Sequence, residues 1–186
     1  MLKNAYSRLL IDIEDRLADQ VPTLRWIDQY HGQDMTDIRP SLAYPAALIE
    51  FEQSDYEGMG QYDQLCHASL TVRLLLDNYA SSAQKSPIKS RNTAMLCYEL
   101  ENEVVNALHG WTPDEDFVQP LIRTADRSEN RNDIGLRIRI ISFSTAWECT
   151  DIEPEPEPEE PTEEPVEEPE PTEEPTEPSG NEIEES

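Results

Sequence analysis

Positive charge is in short supply in this chain. Lys and Arg number 14 against 40 Asp and Glu, a formal net charge of −26 over 186 residues. A protein so composed is a poor candidate for wrapping DNA, because affinity for phosphates comes chiefly from Lys and Arg. The deficit is uneven. From Asp151 onward there are 17 acids and no base, which leaves 23 acids against 14 bases, a net of −9, in the first 150 residues. Cysteine is also scarce. Cys66, Cys97 and Cys149 are odd in number and lack paired spacing. That does not point to a disulfide framework and predicts three buried or half-buried thiols in a reducing compartment. No apolar run is long enough to cross a membrane, and the amino-terminal MLKNAYSRLLIDIEDRL has charges spread through it, unlike a signal peptide.

Catalytic motifs are absent as well. No Ser or Cys nucleophile motif and no Gly-rich phosphate loop is present. A metal-dependent nuclease needs acids converging with a Lys in a pocket. Neither Glu50 with Glu52 nor the acids at 114–116 has a nearby Lys. His31, His67 and His109 are dispersed; His67 adjoins Cys66, but neighbours on a strand point to opposite faces. The expectation is a protein that is no enzyme and holds no metal or cofactor.

What is present is amphipathic patterning. In Ser90 to Trp111, Leu96, Leu100, Val104 and Leu108 recur at every fourth position with Cys97 and Val105 beside them. The spacing predicts a helix with one apolar stripe, capped by Asn92 or Thr93 and ended by Gly110, with Glu99, Glu101 and Glu103 largely off the stripe. Leu2 to Gln20 predicts a first helix through Leu2, Tyr6, Leu9, Leu10, Ile13 and Leu17, stopped by Pro22. Strands are predicted at Leu24–Tyr30, from Ala46, over His67–Asp77, at Pro120–Asp126 and over Ile134–Cys149. His31 to Tyr44 reads as irregular, and Ser54 to Asp63, with Gly58 and Gly60, as a hairpin loop. In the last strand Leu136, Ile138 and Ile140 share a phase that Ile141, Phe143 and Trp147 then reverse. This predicts a β-bulge near Ile140 and Ile141.

The sum is an α+β domain: two layers, a mainly antiparallel sheet with helices packed on one face. The other face is expected to carry Thr71, Arg73, Arg137 and Arg139, and to be wet or used for assembly. Tyr56, Met59 and Tyr62 at the hairpin, and Trp111 and Phe117 around the loop after the main helix, are candidate protein contacts if exposed. Trp111 also has a core-packing reading. The domain is expected to span residues 1–150. Residues 151–186 form a degenerate Glu-Pro repeat that is expected to be disordered, a self-repelling tail or a spacer.

The stretches YPAALIEFEQ, SLTVRLLLD, ELENEVVNALHGW, PLIRTADRSE and a closing strand ending FSTAW resemble the tail terminator, or tail-completion, proteins of long-tailed bacteriophages and prophages. The resemblance covers roughly residues 1–150 and excludes the tail. It implies a structural protein made in the bacterial cytoplasm and built into the virion tail. It further implies a homo-oligomeric ring, usually a hexamer, that caps the tail tube, meets the head-tail connector, and lets DNA pass through its bore without membrane contact. A rival reading from the charge of −26 is an acidic DNA-mimic or inhibitor protein, though most of that charge lies in the tail.

Overall fold

The structure is a computed structural model that describes residues 4–60, 63–77, 80–113 and 118–149. Its elements are α1 (Ala5–Gln20), β1 (Trp26–Gln29), β2 (Ala46–Gly58), β3 (Gln64–Leu76), α2 (Ile88–Leu108), β4 (Ile122–Ser128) and β5 (Arg137–Cys149). The five strands form one sheet in the order β1-β2-β3-β5-β4. The β1–β2 pairing is parallel and the other three are antiparallel. The fold is α+β, with two helices on a mixed, mainly antiparallel sheet. The tail and its boundary lie outside the described residues.

Helix α1 forms as its spacing predicts. Asn4 caps it by accepting from the Ser7 N–H, and Ala5, Leu9, Ile13 and Leu17 bury one stripe. Leu2, expected on that stripe, lies outside the described residues. Helix α2 starts earlier than predicted. Pro87 precedes it with no side-chain cap, and Thr93 lies inside it, its hydroxyl donating to the Lys89 carbonyl. Its buried residues are Ala94, Cys97, Leu100, Glu101, Val104, Ala107 and Leu108. The stripe is therefore rotated relative to the expectation, and Leu96 is 55% exposed. Gly110 does end the helix in the left-handed region, with φ +77°.

The main core lies between these helices and one face of the sheet. It contains Ala47, Ile49, Leu70, Val72, Leu74, Ile141, Phe143 and Trp147, with the α1 and α2 stripes above them. A second cluster occupies the opposite face: Ala46, Leu48, Leu75, Leu136, Ile138 and Ile140, with Tyr30, Leu42, Tyr44 and Ile134 packed against it. This second core overturns two expectations. The β3–β5 register runs unbroken from Gln64↔Cys149 to Leu76↔Arg137, so no bulge sits at Ile140 and Ile141. The apolar phase reverses because β5 is covered on both faces, by α2 along one and by a loop along the other. The register shifts fall instead between Phe51 and Gln53 on β2 and between Arg123 and Ala125 on β4. The second face is also not open along this half of the sheet.

Its cover follows from the one parallel pairing. Parallel neighbours need a crossover connection, usually a helix. Here residues 30–45 make that crossover as an irregular strap. A strap without ladder bonds must satisfy its backbone otherwise. Arg131 Nη1 donates to the Asp34 carbonyl at 2.6 Å, Gln33 Nε2 to the Gln29 carbonyl at 2.9 Å, and the Tyr44 hydroxyl to the Pro40 carbonyl at 2.8 Å.

The rotated stripe makes a testable contrast. Leu108 is fully buried. Leu108→Ala should cost about 2–5 kcal/mol in stability, whereas Leu96→Ala should stay within about 0.5 kcal/mol. Urea unfolding of both variants measures the difference, and equal losses would contradict the helix orientation.

Candidate assembly surface

The expected contact residues do not converge. Arg73 is on β3, facing the second cluster, and is 4% exposed. Its Nη2 lies 2.7 Å from Asp34 Oδ2 and 3.3 Å from Glu129 Oε2, and its guanidinium carbon is 4.6 Å from the Tyr30 ring centroid. Asp34 is 2% exposed and accepts a second bond, at 2.7 Å, from the Tyr30 hydroxyl. Burial and this hydrogen bond push the Tyr30 phenol up to about 12. Burial pulls the Arg73 guanidinium down, but bonding and charge from Asp34 outweigh it, so its net shift is upward. This cluster pins the strap to the sheet. Arg73 is thus a buried clamp within the chain.

Arg137 and Arg139 are on the other face from Arg73, contrary to expectation. Their cross-strand partners Leu76 and Leu74 belong to the helix-covered row. Arg139 makes a two-pronged pair with Glu101 of α2, Nε to Oε2 at 2.7 Å and Nη2 to Oε1 at 2.9 Å. It also reaches Asp126 Oδ1 at 2.9 Å and the Ser128 hydroxyl at 2.6 Å. The bonds from Glu101 outweigh partial burial and raise the Arg139 pKa. Arg137 donates to the Ala94 carbonyl at 3.1 Å. Both arginines therefore hold α2 to the sheet. Glu101, read from spacing as off the stripe, is in fact on its buried margin, where only a basic partner makes a carboxylate acceptable.

The remaining candidates are scattered. Tyr56 is a residue of β2 and not of a loop, with its hydroxyl 2.9 Å from that of Tyr6. That hydrogen bond, followed by burial, raises the Tyr56 pKa. Met59 stands in the hairpin turn, where its N–H donates to the Asp63 carbonyl, and is 57% exposed. Trp111 is half-buried against the main core, with the Arg16 guanidinium carbon 5.3 Å from its ring centroid. Tyr62 and Phe117 lie outside the described residues. Among the described residues no cluster of His, Cys, Asp and Glu is suited to a metal ion. Cys66 and Cys97 are buried free thiols, and Cys149 is half-buried. No described helix is long and apolar enough to cross a membrane.

Exposed apolar groups mark surfaces that spacing alone did not single out. Met35 and Ile38 project from the strap, and Ile88, Met95 and Leu96 from α2. Beside Leu96 is a groove of about 490 Å³ floored by Pro45, Leu76 and Leu100, with Asp77, Glu99 and Glu103 at its rim. The missed clamp residues Tyr30 and Asp34 had one weak signal. They flank Gly32, which has φ +81° and turns the strap back across the sheet.

Two substitutions test the clamps. Asp34→Ala leaves Arg73 buried with only the half-exposed Glu129 beside it. It should cost about 3 kcal/mol and return the Tyr30 phenol toward its ordinary value near 10. The sign follows from the raised pKa: the Tyr30 contribution is complete below pH 10 and is lost as pH rises through about 12. Ultraviolet titration and urea unfolding read both effects. Arg139→Glu places a third carboxylate against Glu101 and Asp126, and should destabilise the fold by about 1–3 kcal/mol in thermal or urea unfolding. An unchanged melting curve would remove α2 anchoring from its role.

No protein-family profile matches the chain, and no curated protein matches it. Among solved structures, one similar chain comes from the "virion of native gene transfer agent (GTA) particle". It is 10% identical, covers 80% of this chain and 100% of its own length, and has a TM-score of 0.48.

Proposed function

We propose that this chain is a structural protein of a phage-type virion, a tail terminator or tail-completion protein. In this reading it forms a ring, most simply a hexamer, that caps the tail tube and joins it to the head connector. The observation that carries the reading is the coincidence of pattern and architecture. YPAALIEFEQ opens β2, SLTVRLLLD forms most of β3, ELENEVVNALHGW ends α2, PLIRTADRSE contains β4 and FSTAW lies in β5. The stretches that carry the sequence resemblance are thus the elements that build the sheet and its main cover.

The charge supports the same role. A ring through which DNA slides must not hold it, and an acidic wall lowers the local affinity for phosphate. The turn around Met59 supplies a protruding, partly apolar contact for a tube or connector subunit.

Two measurements test the reading. Sedimentation velocity should show a closed oligomer forming with concentration, and the protein should bind the ends of purified tail tubes from the same particle. Met59→Asp should leave the melting temperature within a degree or two, because the side chain is exposed, and weaken tube binding. A protein that stays monomeric and ignores tube ends would refute the terminator reading.

A further inference from the structure

The sheet has two unfilled edges, and they match each other. On one side β1 pairs only with Ala46–Ile49, so residues 50–58 of β2 have no strand beyond them among the described residues. On the other side β4 is the outermost strand and every one of its residues is exposed; its Arg123 N–H is taken by His109 Nδ1 at 3.1 Å, so the edge offered to another strand lies beyond it, toward Ser128. Unpaired N–H and C=O groups along an edge are a template for another strand.

Direction and charge select the partner. β2 is antiparallel to β3, β3 to β5 and β5 to β4, so β4 runs opposite to β2. A second copy brought head to tail would therefore lay its β4 antiparallel against β2, continuing the alternation of the sheet. The β2 edge carries Glu50, Glu52, Asp55 and Glu57 with no base. Glu50, Asp55 and Glu57 pair with Thr71, His67 and Leu65, which puts them on the face of Arg73. Arg127 of β4 pairs with Ile140, which pairs with Arg73, so it shares that face. Opposite charges on one face of adjacent strands attract, and this copy offers its basic side chain where its neighbour is acidic.

We propose that the β2 edge from Glu50 to Gly58 receives the β4 edge of a second copy. This rests on the ring reading and deepens it by naming the joint. The β4 strand spans the level of β5 residues 139–144, whereas the free part of β2 begins beyond β1, so the joint is staggered. Tilted strands convert such a stagger into closure. The interface is heterologous, and a heterologous contact that closes gives a ring.

The test swaps charge on the full-length protein. Arg127→Glu makes the β4 edge acidic, and Asp55→Lys with Glu57→Lys makes the β2 edge basic. Each set alone should weaken self-association about tenfold or more, read by sedimentation, with melting curves showing that the subunit folds. Combining both sets in one chain should restore it. So should mixing the two variants, since each presents what the other lacks. Edge variants that assemble like the wild type would overturn this joint and leave the ring reading standing. Folded variants whose combination stays apart would also overturn it. A wild-type protein that remains monomeric at the highest attainable concentration would remove the joint and the ring together.

Discussion

The pair between Arg73 and Asp34 is the constraint on which half of this structure depends. Both groups are buried, and a buried charge without a partner is far more costly than the pair is favourable. The strap from residue 30 to 45 thus has one position in which Arg73 is neutralised. In that position Tyr30 stacks on the guanidinium, Asp34 receives both Arg73 and the Tyr30 hydroxyl, and Leu42 and Tyr44 close over Leu48, Leu75 and Ile138. Such a pair adds little net stability compared with an apolar replacement. Its physical value is in selecting one arrangement of an irregular segment that has no ladder of its own.

The opposite face repeats the device with a different cover. Arg139 grips Glu101 on α2 as Arg73 grips Asp34 on the strap. The two arginines belong to adjacent rows of the same strand pair, since Arg73 pairs with Ile140 and Leu74 with Arg139. One row sends its charge upward and the next sends it downward. The middle of the sheet is therefore bolted on both sides at nearly the same level, and apolar side chains fill the space around each bolt. This explains why β5 is apolar in both phases and still runs in unbroken register: each phase has its own cover to pack against.

The fold was legible in the sequence wherever a single periodicity governed. The α1 stripe, the helix-facing apolar row of β3 from Ala68 to Leu76 and the left-handed stop at Gly110 all follow from local spacing, whereas the burial of Thr71 and Arg73 on the other side of β3 does not. It was illegible where two covers act on one element. Reading β5 with one wet face turned a second core into a bulge and put Arg137 and Arg139 on the same side as Arg73. Helix α2 misled for a related reason. Leu96 fits a four-residue repeat, but Glu101 does not, and the charge of Arg139 beneath it rotates the buried face toward the acid. Asp34 gave almost no signal, because an acid in a polar loop is ordinarily solvated; only a long-range partner makes it structural. Of the surface candidates, the exposure of Met59 was readable from its place between two glycines; Tyr56 is exposed too, at 52%, but stands in strand β2, paired with Cys66, and not in the turn.

Covering both faces has a consequence for assembly. Once α1 and α2 occupy one face and the strap much of the other, the arginines that looked available for a neighbour are spent inside the subunit. Besides the exposed apolar groups of the strap and α2, the sheet itself offers its rim: the hairpin turn, the acidic half of β2 and the exposed strand β4. A rim is suited to head-to-tail addition, because its two sides differ in charge and run in opposite directions. Protection of such edges is the usual defence against uncontrolled pairing, and β4 has some of it in the register shift between Arg123 and Ala125 and in the Arg123–Asp126 pair. The acidic edge defends itself too, since two copies of β2 repel. Like edges are therefore kept apart and unlike edges are not, and the same charges that prevent indiscriminate stacking leave one orientation open to the proposed joint between copies.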